Sequence, residues 1–200
     1  MTFLQTNQML ALGMRRSPLL IAVLGVAFAG IVTASGAATS ASRSSALVGR
    51  WERVTTCQEL VSALAKAGLR TTAPAMLAGN GLVTGTPKQL ARKVNICKGA
   101  VPRRHSHFFT SAGMFGSIDY NDKQVDDGTY RLLDSRTVRI NDGTFHFRIS
   151  GRELRLEPVI SAAARRKALA QPLQFSIAGW QVAVAFPGHA WKRVPCAGWC

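Results

Sequence analysis

The sequence predicts a mainly β protein, an antiparallel up-and-down barrel of eight strands, and three observations support this. Six short stretches between positions 104 and 158 alternate apolar and polar residues, with turn residues between them. Further strand-like stretches at 47–56, 180–186 and 191–194 bring the count to eight or nine. Closure into a barrel removes the exposed edges that so many strands would otherwise present.

Residues 1–46 have the order of a secretory signal followed by a linker of small residues. They contain no Asp or Glu, and Arg15-Arg16 precedes an almost purely apolar stretch from Pro18 to Ala34. This stretch is also close to the length that spans a membrane, so a retained N-terminal membrane anchor is the alternative. Either interpretation places residues 47–200 outside the cytoplasm, as a secreted or extracytoplasmic domain.

Residues 47–200 have the length of one domain and can bury a core. The whole chain has a formal net charge of +15, which favours acidic partners such as anionic headgroups or envelope polymers. The densest basic clusters, Arg165–Lys167 and Arg103-Arg104, are not interleaved with aromatic residues in a stacking pattern. We therefore expect no binding of nucleic acid, and membrane contact only through the N-terminal segment.

All four cysteines follow the N-terminal segment, and an even number in an oxidising compartment predicts two disulfides. We favour Cys57–Cys97 together with Cys196–Cys200, where Gly198 permits the tight turn that a short ring needs. The alternative is that Cys57 and Cys97 pair with the two C-terminal cysteines, because the first and last strands of a closed barrel are neighbours. A metal site of four thiols is a further interpretation, although the paired Cys-x-x-Cys elements typical of zinc sites are missing.

A helical insertion at 57–97 follows the first strand. Apolar residues recur with helical spacing over 57–68, where Gly68 ends the helix. Residues 71–86, rich in Gly and Ala, are predicted to form a loop. Thr86-Pro87 begins a second short helix, with threonine at the cap and proline at the first helical position. This insertion is expected to lie over the barrel mouth, as a lid or as a simple cover.

The last part of the chain contains a third helix and two more predicted strands. Ser161 caps a helix over 162–170, whose Ala and Arg content predicts a surface position. Residues 180–186 alternate like a strand, and Pro187-Gly188 is predicted to turn the chain into a final strand, 191–194.

The first strand opens with Gly49-Arg50-Trp51, and Arg193 lies near the end of the last predicted strand. With the run of strands, this pattern resembles the lipocalins and the wider calycin group, including small secreted lipocalin-like domains of bacteria. The resemblance implies that Trp51 plugs the closed end of the barrel and that Arg193, or alternatively Lys192, packs across its indole. It also implies that the protein binds a molecule in the barrel or at its mouth and does not catalyse a reaction. The helical insertion and the helix before the last strands depart from the usual lipocalin arrangement.

Aromatic residues on the predicted strands are candidates for lining a ligand cavity. The candidates are Phe109, Phe145, Phe147, Trp180 and Phe186. Small eight-stranded barrels can also be filled by their own side chains, so plain core is the alternative role for these residues.

His105 and His107 lie two residues apart on one face of a predicted strand, and such a pair can bind zinc when a third ligand joins it. Nothing in the sequence brings His146 or His189 to them, and a half-polar strand explains the pair without metal. Residues 126–128, Asp-Asp-Gly, are predicted to form a turn before a strand. No nucleophile elbow and no phosphate-binding glycine loop is present. We therefore expect no catalysis, no cofactor and no metal.

These features favour a secreted, non-catalytic protein that binds a small hydrophobic or amphipathic ligand, with a basic rim that suits an anionic head. One alternative is an envelope protein-binding or inhibitor module that acts through loops on a filled barrel. A less favoured alternative is a metal-dependent enzyme that uses His105 and His107.

Overall fold

Eight strands, each paired with two antiparallel neighbours, close into a barrel in which the strands follow one another in chain order. The structure is a computed structural model and describes residues 46–186 and 189–200. The predicted mainly β, eight-stranded fold is confirmed. The strands are β1 Gly49–Thr55, β2 Arg103–Phe109, β3 Met114–Ile118, β4 Gln124–Leu132, β5 Thr137–Ile140, β6 Gly143–Ser150, β7 Glu153–Val159 and β8 Trp191–Val194.

The alternating pattern that predicted the strands corresponds to the inner and outer faces of the barrel. In β6, Phe145 and Phe147 are buried inside, whereas His146 and Arg148 are exposed outside. In such a strand, successive side chains point to opposite faces, so a period of two separates core from solvent. The predicted signal or anchor segment up to residue 45, and the predicted turn at Pro187-Gly188, lie outside the described residues.

Five helices lie in the two long connections, after β1 and after β7. They are α1 Cys57–Lys66, α2 Ala73–Gly79, α3 Pro87–Ala91, α4 Ala162–Ala170 and α5 Ile177–Ala185, with a short 3-10 helix at Arg70–Thr72. In an up-and-down barrel every second connection lies at the same end, so both groups of helices lie at one end of the barrel. Thr56 begins α1 and Thr86 begins α3, and each forms a capping box with the residue three positions later.

The strand predicted over 180–186 is wrong, because these residues belong to α5 and to its C-terminal cap, Phe186. The helix is apolar except for Gln181, and all but two of its residues are buried. A helix surrounded by protein has no polar face, so its sequence lacks the 3.6-residue period that marks an amphipathic helix. The alternation of large and small residues from Trp180 to Phe186 therefore resembled a strand.

Two smaller predictions also need correction. The loop predicted over 71–86 contains α2, which has proline near its first turn, a position that proline favours. The turn predicted at 126–128 is part of β4, where Asp126 is half-buried and Asp127 is exposed. Adjacent residues on a strand point to opposite faces, so these carboxylates do not form a pair.

The end of the barrel opposite the helices is closed by Trp51, which is fully buried. Its Nε1 donates to the carbonyl of Leu47 at 2.8 Å. The Arg193 guanidinium lies 4.4 Å from the indole centroid, and its terminal nitrogens donate to the carbonyls of Ala46 and Val48. Gly49 has φ 139°, and a Cβ atom there would lie 3.1 Å from Arg193 Nη1. The arrangement implied by the lipocalin resemblance is therefore present, with Arg193 and not Lys192 over the ring.

Both favoured disulfides, Cys57–Cys97 and Cys196–Cys200, are confirmed. The first joins the start of α1 to the segment before β2 and so encloses the helical insertion. The second closes a short ring at the C-terminus, where the Trp199 ring packs 5.5 Å from Phe108 on the outside of the barrel. Two disulfides are typical of an oxidising, extracytoplasmic compartment. Within the described residues, no helix combines the length and the apolar character needed to cross a membrane.

Candidate functional site

A cavity of about 640 Å³ lies at the helix-covered end of the barrel. Strands β2, β3 and β4 form one wall and helices α2 and α5 form the other, together with the segment between α4 and α5. The strand wall is polar and includes Arg103, His105, Ser117 and Asp126, whereas Met76 and other apolar residues come from the helices. The cavity has the size of typical small-molecule sites.

His105 and His107 project into the barrel from β2, with ring centroids 5.1 Å apart, as the alternation of the strand predicted. His107 is buried, and its Nε2 lies 3.2 Å from the carbonyl oxygen of Val184 in α5. A carbonyl can only accept, so this nitrogen carries the proton. His107 Nδ1 therefore accepts the hydrogen bond from the Ser117 hydroxyl, at 2.9 Å.

His105 faces the cavity without a hydrogen-bond partner among the described residues. Burial lowers its pKa to about 4, opposed by the negative charge of Asp119 and assisted by the positive charge of Arg53. The pKa of His107 is also well below its usual value, first because of burial and then because of the neighbouring His105. Both imidazoles are therefore neutral at pH 7.

We expect the free energy of unfolding to fall as the pH is lowered from about 6.5 to about 4. The unfolded chain protonates its imidazoles near pH 6.5, whereas the folded chain protonates His105 only at about 4. The unfolded state therefore binds more protons in this window and is favoured. For His105 the loss is on the order of 3 kcal/mol, and His107 contributes in the same direction. Urea unfolding at pH 7 and pH 4.5 measures it.

The matched variants for this prediction are His105→Gln and His146→Gln. His146 is exposed on the outer face of β6, so His146→Gln removes an imidazole outside the barrel and serves as the control. His105→Gln removes one of the two imidazoles whose pKa the fold lowers, so we expect a smaller loss of stability at pH 4.5. An equal loss in both variants would show that the fold does not lower the pKa of His105.

Asp126 connects the strand wall of the cavity to α5. Its carboxylate accepts a hydrogen bond from Trp180 Nε1 at 2.9 Å. Its pKa is raised, mainly by burial, although the bond from Trp180 opposes the change. The next residue of α5, Gln181, donates to the carbonyls of Thr144 and Val159 at the ends of β6 and β7. These contacts, with the bond from His107, fix the helix over the barrel end.

Among the five predicted lining residues, Trp180 lies on the cavity wall. Phe109, Phe145 and Phe147 pack in the barrel core and do not line this cavity in the described part of the chain. Phe186 is buried beneath Arg53, whose guanidinium carbon lies 4.5 Å from the ring centroid. The lower barrel is thus filled by side chains, and the open volume lies above it, under the helices.

The histidines do not assemble into a metal site. His146 lies on the outer surface, where it contacts Thr137, and His189 lies 3.5 Å from Glu59 in α1. Neither joins His105 and His107, and residues 46–186 and 189–200 contain no group of three metal-ligating side chains close enough to hold an ion.

The sequence-based reasoning missed Arg103, Tyr120 and Gly81 as a group. Arg103 is the first residue of β2 and lines the cavity; its Nε donates to the Gly81 carbonyl at 3.3 Å. Its guanidinium carbon lies 3.9 Å from the Tyr120 ring centroid. The predicted strand began at Arg104 and so left Arg103 out. Side chains on a strand alternate between its two faces, so Arg103 faces inward with His105 and His107.

No protein-family model matches this chain, and a search of curated proteins finds none that is similar to it in sequence. The closed antiparallel barrel is compatible with a lipocalin-like fold.

Proposed function

We propose that this protein is a secreted, non-catalytic, lipocalin-like binding protein that takes a small amphipathic molecule into the cavity beneath α5. The cavity of about 640 Å³, with a polar strand wall and an apolar helical wall, carries the proposal. Small-molecule sites are typically concave and mostly apolar, with a few polar groups that fix orientation. This cavity has that composition.

Apolar side chains at the cavity entrance also support the proposal. Phe175 and Val125 line the cavity and are 68% and 56% exposed, respectively. Phe175 lies in the segment between α4 and α5, and Val125 lies at the start of β4. A ligand that covered these two side chains would remove apolar surface from water, which stabilises the complex in proportion to the area covered.

The hydrogen-bonded pair of Ser117 and His107 does not lead us to propose catalysis. A serine activated by a histidine requires a base whose pKa is near the working pH. Burial holds the pKa of His107 well below its usual value, so its imidazole is a weak base. Its second nitrogen is bonded to Val184 in α5. We infer that Ser117 and His107 have a structural role, which is to hold α5 against the barrel.

Replacement of Gly79 by Phe is expected to block ligand uptake. Gly79 lines the cavity at the end of α2, and a Cβ atom built on it meets no atom within 4 Å. There is therefore room for a phenyl ring at this position of the lining, and we expect it to compete with the ligand for the open volume. Isothermal titration calorimetry with decanoate should show binding to the wild type and at least about a tenfold weaker affinity for Gly79→Phe.

Gly79→Ala is the matched control, because it adds only a methyl group and should keep the wild-type affinity. Equal affinities of all three proteins would place decanoate elsewhere and contradict the proposed site. Failure of the folded wild type to bind decanoate or any other amphiphile would favour the alternative, a protein-binding module with a filled barrel.

A further inference from the structure

Arg103 is held rigidly at the cavity wall by groups from two other segments. Its Nε donates to the Gly81 carbonyl at 3.3 Å, and its guanidinium plane lies over Tyr120, 3.9 Å from the ring centroid. Gly81 has φ +63°, and a Cβ atom there would lie 3.2 Å from Tyr120 Cε1. A residue with a side chain would be strained in this backbone conformation and would crowd the ring, so glycine permits the close approach.

The two terminal nitrogens of Arg103 have no hydrogen-bond or ion-pair partner among the described residues. The neighbouring Arg104 differs, because its Nη2 lies 2.8 Å from each carboxylate oxygen of Asp122. Arg104 is therefore already engaged by an acid of this chain. Arg103 presents an unused pair of parallel donors, and its orientation is fixed before any ligand arrives. This geometry matches a carboxylate in bidentate contact.

The other charges on the cavity wall favour a ligand with a single negative charge. Asp119, directly after β3, and Asp126, on β4, also line the cavity. A doubly charged phosphate group in the same cavity would be repelled by these carboxylates more strongly than a singly charged group. A carboxylate carries one charge, which the guanidinium alone can balance.

His105 provides a second donor on the same inward face of β2, two residues from Arg103. Its ring has no hydrogen-bond partner among the described residues, and it is neutral at pH 7. A neutral imidazole carries one N–H group, which can donate to a carboxylate without adding charge.

Apolar side chains on the helical side of the cavity complete the site. Met76 from α2 and Trp180 from α5 line it, together with Leu173 and Phe175 from the segment before α5. A hydrocarbon chain attached to the carboxylate can pack against these residues.

We propose that the ligand is a monocarboxylate with an apolar tail, whose carboxylate is recognised by the Arg103 guanidinium fixed by Gly81 and Tyr120. This inference depends on the proposed function, because it specifies the ligand of the same cavity. The segment that fixes the guanidinium belongs to the helical insertion, so the insertion contributes to specificity as well as covering the barrel.

The test compares three ligands with the same ten-carbon chain: decanoate, 1-decanol and decyl phosphate. Each is titrated into the full chain with its disulfides intact, at pH 7.5, by isothermal titration calorimetry. The wild type should bind decanoate about tenfold or more tightly than 1-decanol, because charge-assisted bidentate bonds contribute that much. It should also bind decanoate more tightly than decyl phosphate.

Arg103→Gln should lose this preference for the carboxylate, so that its affinities for decanoate and 1-decanol become about equal. Arg131→Gln is the matched control, since Arg131 is exposed on β4 and its replacement removes the same charge. Tyr120→Leu leaves the cation present but removes the ring beneath it, so the preference should decrease without disappearing.

Three results would overturn the inference. They are equal binding of decanoate and 1-decanol by the wild type, an unchanged preference in Arg103→Gln, and tighter binding of decyl phosphate. In all three the proposed function survives, because the cavity still takes an amphiphile. Absence of binding of every ligand would instead reject the proposed function and the inference together.

Discussion

Replacement of Trp51 by Ala should lower the free energy of unfolding by about 3–5 kcal/mol, the usual range for loss of a large buried aromatic side chain. Trp51 is fully buried at the closed end of the barrel. Its removal leaves a cavity, and it also removes the aromatic face over which Arg193 lies at 4.4 Å. Surrounding strands are tied into a closed sheet, so they can collapse only slightly into the gap. Urea unfolding followed by circular dichroism measures the loss.

Trp199→Ala is the comparison for this variant, because Trp199 lies outside the barrel against Phe108. We expect a cost of about 1 kcal/mol or less there, since a partly exposed side chain buries less apolar surface. If the two replacements cost the same, Trp51 would not be the plug of the barrel.

Removal of the Cys57–Cys97 disulfide by the double replacement with Ala should cost about 4 kcal/mol. The bond spans 40 residues, and the conformational freedom that it removes from the unfolded chain grows with the length of the closed loop. Cys57 is buried at the first residue of α1, so the same change also loosens the attachment of the helical insertion. The loss is measured by urea unfolding under non-reducing conditions.

The Cys196–Cys200 disulfide provides the comparison within the same chain. It spans four residues, and the same entropy argument gives about half the effect, roughly 2 kcal/mol. A larger loss from the C-terminal pair than from Cys57–Cys97 would contradict this account of how the two bonds stabilise the protein.

The strands could be predicted because most of them separate core from solvent. In β6 the phenylalanines face inward and the histidine and arginine face outward, so the polarity of each residue indicates which face of the strand it occupies. The final strand, Trp191–Val194, has the predicted bounds. α5 could not be predicted in the same way. It is enclosed by the barrel end and the other helices, and all but two of its residues are buried, so its sequence shows little difference between one face and the other.

The candidate site was only partly visible in the sequence. The shared face of His105 and His107 follows from the period of a strand, and the structure shows it. The contacts of Arg103 with Gly81 and Tyr120 join three segments that are distant in sequence, and they depend on how the insertion folds back onto the barrel. Local patterns contain no information on such tertiary contacts.

The most direct test of the account is the response of the tryptophan indole N–H signals to ligand, followed by nitrogen-15 NMR. The chain has four tryptophans. Trp180 lines the cavity, Trp51 lies at the opposite end of the barrel, and Trp199 lies outside it. We predict that decanoate shifts the Trp180 signal and leaves those of Trp51 and Trp199 in place. A shift at Trp199 with Trp180 unchanged, or no shift at any indole, would contradict a ligand-binding cavity beneath α5.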